Sequence, residues 1–268
     1  MAQTGGEFNP ENIDRSKIDP SFLAVIRQRE ELKSKLSGIK HKIGVYSAKG
    51  GVGKTTTAVN LAYALSSMGF KVGILDADID TPNVTYFVGY KGEPPRDYPL
   101  KPIEVGGVKI ISTAMFFQDS GKPIIWRGPM LTKMLKEFFA DTQWGELDYL
   151  IIDLPPGSSD SPLTIMQLIP LDGFVLVTTP QHIAAINTIK SGTMAKKFGL
   201  ALLGVVENMS SGTPKGASEV AESLGCDVLG MIKADQRIAD FSDEGKVAVL
   251  EDSRIKEAFI DIVKRLIS

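Results

Sequence analysis

Residues 47–57 read SAKGGVGKTTT. Gly50, Gly51 and Gly53 surround Val52, and Lys49 and Lys54 flank the run. Glycine admits backbone conformations that a side chain would block, so a loop of this kind can turn its N–H groups inward around a phosphate. Lys54 then supplies a point charge for the β- and γ-phosphates, and Thr55 a hydroxyl for Mg²⁺. Thr56 falls in the first turn of a helix, where free N–H groups and the positive dipole end favour an anion. Such a loop needs only one lysine and normally opens with glycine where Ala48 stands. Lys49 therefore requires its own explanation.

The loop follows an apolar run, KIGVYS (42–47), and opens a helical stretch over 54–68. Further strand candidates lie at 71–75, 108–113, 148–153, 173–179, 201–208 and 227–232, with helical stretches at 130–140, 182–198, 216–224 and 253–267. Most of the strand runs are continuously apolar, as in a parallel sheet covered on both faces. The alternation predicts an α/β fold: a doubly wound, mostly parallel sheet with helices on both faces. Residues 1–20 are polar and rich in Gly, Asn and Pro, and are expected to be a disordered tail. Residues 21–36 carry apolar positions at helical spacing, so 21–40 is expected to add an amphipathic helix that docks on the main domain or a partner. The phosphate-binding domain then spans 41–268. The loop 89–102 is a Pro-rich surface excursion.

In an open α/β sheet the ligand sits beyond the carboxyl ends of the strands. Three aspartates fall there. LDAD ends one strand with Asp76 and Asp78, and IIDLPPG ends another with Asp153. Phosphoryl-transfer chemistry gives them roles. Asp153 holds Mg²⁺ through water, with Thr55 and Asp78 as the other metal-side groups. Asp78 orients the attacking water, with Lys54 as the catalytic cation beside it. Gly157 is a candidate to sense the γ-phosphate through its N–H, which would make 154–161 a switch segment.

The chain of 268 residues has formal net charge −2, with one cysteine and two histidines. An intramolecular disulfide is impossible and a four-ligand structural zinc site is not expected. The near-neutral charge predicts no nucleic-acid partner. No apolar run is long enough to span a membrane and the N-terminus does not read as a secretory signal, so a cytoplasmic protein with no stable membrane insertion is expected.

KGGVGKTT with its early lysine resembles the deviant phosphate loop of the MinD, ParA and nitrogenase iron-protein superfamily. DADIDTPN (76–83), IIWRGPM (124–130), WGELDYLIIDLPPGSSD (144–160), LDGFVLVTTPQ (171–181), GVVENMS (204–210) and SDEGK (242–246) narrow the resemblance to Mrp-type (ApbC/Nbp) ATPases, over about residues 38–265. The resemblance implies a Mg-dependent ATPase that turns ATP into ADP and phosphate as a homodimer, with nucleotide at the interface. It explains Lys49: the early lysine reaches across that interface to the partner's nucleotide, acting in the manner of an arginine finger. It also implies that the side-chain amide of Asn208 reads adenine. The implied role is iron–sulfur cluster assembly or transfer. The alternative is a MinD- or ParA-like spatial-organising ATPase; a membrane-touching amphipathic helix over 253–267 would favour the MinD kind, and a packed terminal helix is the expected reading.

Two departures qualify the resemblance. Many Mrp-type members carry a C-x-x-C pair shortly after ENMS, and here the chain reads ENMSSGTPKGASEVAESLGC with Cys226 alone. Cluster sites normally need several thiolates. A bound cluster is thus doubtful, Cys226 reads as a small buried hydrophobe, and neither His41 nor His182 has a cysteine near it. A cysteine-bearing paralogue or iron–sulfur client proteins are the implied partners. Lys233, in MIKAD, stands where relatives often have proline near the adenine.

Overall fold

The computed structural model describes residues 30–93, 99–115, 138–139, 141–157, 162, 165–166, 169–197 and 199–268. The N-terminal tail, most of the expected 21–36 helix and 130–140 helix, the WRGPM stretch and residues 158–161 lie outside the described residues.

The described strands form one sheet in the order β3-β4-β2-β5-β1-β6-β7-β8. They are β1 (Ile39–Tyr46), β2 (Val72–Asp76), β3 (Ile103–Val105), β4 (Val108–Ser112), β5 (Leu147–Asp153), β6 (Gly173–Thr178), β7 (Leu202–Ser210) and β8 (Val228–Lys233). All neighbours run parallel except β3 and β4. The expected doubly wound α/β sheet is therefore present. β3 was not foreseen. It is a three-residue edge strand turned back on β4 through Gly106 and Gly107, both at positive φ.

The described helices are α1 (Lys54–Ser67), α2 (Val84–Phe87), α3 (His182–Lys197), α4 (Lys215–Leu224), α5 (Gln236–Asp243), α6 (Ala248–Glu251) and α7 (Ser253–Ile267). α2, α5 and α6 were not anticipated. α5 and α7 are capped by Asp235 and Asp252, whose side chains accept N–H bonds from the first turns. Arg237 on α5 joins the two caps, bonding both carboxylates.

Each face of the sheet carries its own core. Val59, Leu61 and Leu65 of α1 pack with Phe259, Ile262 and Val263 of α7 on one face. Ala185 of α3 and Leu224 of α4 lie on the other with Phe139 and Trp144. Helical residues 30–35 lead into β1, and Leu32 and Leu36 are buried in this second core. α1 is buried nearly all round, which is why its sequence shows little amphipathic contrast. α7 buries its apolar stripe against the domain, as expected of a packed terminal helix.

One contact ties the two sides of the β2 end together. Gly89 follows α2 and Gly245 follows α5, both at positive φ. A Cβ on Gly89 would lie 2.5 Å from the Gly245 carbonyl, and one on Gly245 would lie 2.6 Å from the Gly89 Cα. The two backbones touch with no room for a side chain on either.

Candidate phosphate site

β1 delivers the chain into the 47–53 loop, which ends at the N-terminus of α1. Gly51 and Gly53 have φ of +80° and +84°, conformations that disfavour any residue with a Cβ. Gly53 is the N-cap of α1, and no side chain caps that end. The uncapped N–H groups make an anion site at the helix start. Thr57 steadies it by donating its hydroxyl to the Gly53 carbonyl at 2.9 Å.

The sheet order carries the three aspartates to this helix end. β2 and β5 are neighbours, in a register that sets Asp76 opposite Asp153. Lys54 Nζ donates to Asp153 Oδ1 at 2.6 Å and lies 3.5 Å from Asp78 Oδ2. Thr55 Oγ1 donates to Asp153 Oδ2 at 2.6 Å. Lys54, Asp76, Asp78 and Asp153 are all buried. The structure thus brings Lys54, Thr55, Asp78 and Asp153 into one cluster.

Burial works against the Lys54 ammonium, but Asp153 and then Asp78 outweigh it, so its pKa lies above the ordinary lysine value. Burial raises Asp78, and the neighbouring Lys54 offsets part of the rise. Asp76 is pushed up to about 7, first by burial and then by repulsion from Asp153. Hydrogen bonds hold it in place: Ser112 Oγ at 2.8 Å and the Val84 N–H at 3.1 Å donate to Oδ2, and the Asp78 N–H at 3.3 Å to Oδ1. Asp76 thereby fixes the loop that presents Asp78. The sequence reading noted Asp76 at a strand end but gave it no role. The signal available was its position two residues before Asp78.

The hard oxygens of Thr55 and Asp153, 2.6 Å apart, suit Mg²⁺, which takes one or two protein ligands and completes its shell with phosphate oxygens and water. Among the described residues no group of three or more His, Cys, Asp or Glu is arranged to hold a metal.

Lys49, Gly50 and Gly51 are exposed on the outer side of the loop. Ser47 Oγ donates to the Lys49 carbonyl at 2.9 Å, which leaves the lysine side chain on the surface. Val52 is buried, and its carbonyl accepts from Asn208 Nδ2 at 3.0 Å. Asn208 was expected to spend its amide on adenine. One amide donor is committed to the loop, because β7 brings the side chain directly under Gly53. The Gly157 N–H, the expected γ-phosphate sensor, donates to the Ser47 carbonyl at 3.0 Å, and the Gly157 carbonyl accepts from the Tyr46 hydroxyl at 2.5 Å. Neither partner was singled out in the sequence.

Glu207 is a buried carboxylate that the sequence reading passed over. It accepts from Ser210 Oγ at 2.6 Å and from the Ala217 N–H at 3.0 Å. It thus pins β7 to the start of α4 across a connection of only residues 211–214. That connection is where the resemblance would place a cysteine pair. Cys226 is half-buried against the second core, and burial pushes its thiol up. His182 is exposed and lies 2.9 Å from Glu219, while His41 stacks on Tyr149. Lys233 ends β8 and is exposed.

A family model for ParA-type proteins, described as the NUBPL iron-transfer P-loop NTPase, matches residues 38–267. An iron–sulfur cluster carrier protein of Methanocaldococcus jannaschii is 41% identical, covering 90% of this chain and 89% of that one. Among solved structures, a nucleotide-binding protein of Archaeoglobus fulgidus in complex with ADP matches with TM-score 0.71 and 36% identity, over 82% of this chain and 92% of that one. The septum site-determining protein MinD of Pyrococcus horikoshii, complexed with Mg-ADP, matches with TM-score 0.66 and 25% identity, over 85% of this chain and 96% of that one.

Proposed function

The chain belongs to the NUBPL iron-transfer P-loop NTPase family, and from that premise we propose that it is a Mg-dependent ATPase whose cycle serves iron–sulfur cluster assembly or transfer. The observation that carries this reading is the buried cluster of Lys54, Thr55, Asp78 and Asp153 at the uncapped start of α1. The backbone of Gly50, Gly51, Val52 and Gly53 cradles the phosphates, and Thr56 extends the cradle into the first helical turn. Lys54 exchanges its carboxylate partners for β- and γ-phosphate oxygens. Mg²⁺ held by Thr55 and, through water, by Asp153 would neutralise charge on the phosphates. Asp78 sits beside Lys54 at the mouth of the loop and orients the attacking water. Asn208 supports the loop with one amide donor and keeps its remaining amide groups for adenine.

Lys49 acts in trans in a homodimer with nucleotide at the interface. Its exposure supports this, since a lysine at the loop tip is free to meet a second copy. The names of the curated relatives support the cargo. The tight 211–214 connection and the single cysteine support a chain that works with thiolates supplied by a partner: a cysteine-bearing paralogue or an iron–sulfur client. The MinD-like alternative loses ground because Ile255, Phe259, Ile262 and Val263 of α7 are buried in the domain and unavailable to lipid. Among the described residues no helix is long and apolar enough to cross a membrane.

The test is phosphate release from ATP with Mg²⁺ and with EDTA, alongside light scattering with and without ATP. Mg-dependent release together with ATP-induced doubling of mass is expected. Release that persists in EDTA, or a monomer at every nucleotide concentration, would reject the reading. An ATP-dependent pull-down then identifies the thiolate-bearing partner.

A further inference from the structure

Gly157 is held by two bonds that belong to different peptide planes. Its N–H is part of the Pro156–Gly157 peptide and donates to the Ser47 carbonyl at 3.0 Å. Its carbonyl belongs to the next peptide and accepts from the Tyr46 hydroxyl at 2.5 Å. Each peptide is rigid, so the two planes can move relative to one another only through the φ and ψ of Gly157. That residue has φ of +91°, and a Cβ there would meet nothing within 4 Å. Glycine turns freely from such a conformation.

The segment on the N-terminal side is stiff. The Leu154 N–H is fixed to the Val45 carbonyl at 3.1 Å. Pro155 and Pro156 follow, each with a locked φ and no N–H of its own. The rotation left to this stretch is that of the Pro156–Gly157 peptide, between a rigid entry and an anchored exit. Tyr46 is the anchor. It is fully buried at the end of β1, and burial keeps its phenol protonated as a donor. The Ser191 side chain of α3 lies beside the same phenol. The partner of the Gly157 N–H, the Ser47 carbonyl, belongs to the phosphate loop itself, and the Ser47 hydroxyl holds Lys49.

We propose that Tyr46 is a positioning residue for the γ-phosphate: it pins the Gly157 carbonyl so that the Pro156–Gly157 peptide turns its N–H from the Ser47 carbonyl to the γ-phosphate about a fixed point. The proposal rests on the ATP reading above. A backbone donor aimed at developing charge is effective only when its direction is preorganised, and small misplacements are costly. Tyr46 supplies that direction without touching nucleotide. It also makes the contact specific to ATP, because ADP has no group for the turned N–H to meet.

Tyr46→Phe removes one oxygen and keeps the ring in the core. The expected result is kcat lowered about tenfold, with ADP affinity within about twofold of wild type. The preference for a non-hydrolysable ATP analogue over ADP should fall about tenfold. An independent readout is amide exchange at Gly157 in the protein without nucleotide, which should quicken about fivefold in the variant because the anchored exit is lost. An unchanged ATP-to-ADP preference with unchanged exchange would overturn the proposal. So would an equal loss of affinity for both nucleotides, which marks a merely structural tyrosine. If wild type binds neither nucleotide, the ATP reading itself fails and this inference falls with it. If wild type binds and hydrolyses ATP while Tyr46→Phe matches it, only the role of Tyr46 fails.

Discussion

Asn208 sits so close beneath Gly53 that a Cβ added to the glycine would lie 2.0 Å from its amide nitrogen. Two requirements therefore meet at Gly53, a left-handed backbone and an absent side chain. Gly53→Ala should lower ADP affinity by at least about tenfold and reduce thermal stability, since it combines backbone strain with overpacking. Asn208→Ala opens the space, so the double variant should recover part of the stability loss. Calorimetry and melting curves on the four proteins measure this. Strictly additive losses would show that the two residues do not bear on each other.

The two lysines should separate cleanly. Lys54 neutralises buried carboxylates, so Lys54→Ala should abolish nucleotide binding and also destabilise the fold, on the order of 3 kcal/mol. Lys49 is exposed, so Lys49→Ala should leave the melting temperature and most of the binding intact while turnover falls roughly a thousandfold. Mixing Lys49→Ala with an Asp78→Asn variant, each inactive alone, should restore turnover at one site of the mixed dimer if the lysine works in trans. No recovery at any mixing ratio would count against that role.

Asp78→Asn keeps the side-chain volume but gives a poorer partner for the attacking water. Turnover should fall at least about a hundredfold while ATP affinity changes less than about threefold. A trapped ATP dimer should then be visible by light scattering. Normal turnover would remove Asp78 from the mechanism.

Asp76 makes stability depend on pH in a defined direction. In the folded protein the carboxyl keeps its proton up to about pH 7, against an ordinary value of 3.8. Between these values the native state binds more protons than the unfolded chain, so stability falls as pH rises through that window. Asp76→Asn cannot titrate. Urea titrations at pH 5 and pH 7.5 should show the wild type losing stability relative to this variant at the higher pH. An equal pH response in both proteins would show that Asp76 titrates elsewhere.

Reconstitution with iron and sulfide tests the cargo. One thiol per chain gives two per dimer, against the four that a [4Fe–4S] cluster normally uses, and Cys226 is half-buried with its thiol pushed up. The protein alone should retain well under one cluster per dimer after desalting. About four irons per dimer with visible absorption, lost in Cys226→Ser, would contradict this.

The framework of the fold was legible because the strand runs at 42–47, 71–75 and 148–153 are continuously apolar and the glycine loop opens a helix. The missed elements have local reasons. β3 is three residues long and only partly buried, so it has no periodicity to read, although the Gly106-Gly107 pair before β4 was a usable hairpin signal. α5 was foreshadowed by Asp235, a cap before a short run whose only apolar anchors are Ile238 and Phe241, too few to read as a helical stripe. In the site, the charged cluster was readable because each member sits at a strand or helix end. The parts that hold the cluster were not. Tyr46 and Asn208 act on backbone atoms distant in sequence, and Glu207 joins β7 to α4. Contacts of that kind depend on which strands become neighbours, and no local pattern encodes them.

The Gly89–Gly245 contact also constrains how this chain can change over generations. The backbones behind α2 and α5 touch so closely that a methyl group on either glycine would displace the other, and each needs a left-handed conformation besides. Replacing one glycine does not become tolerable when the other is kept, and replacing both makes the clash worse. The only viable routes pass through insertions or deletions that move a whole loop. Both positions are therefore held as glycine although they stand 156 positions apart in the chain (245 − 89), so the segment that presents Asp78 and the SDEGK segment far from it answer to one and the same backbone contact.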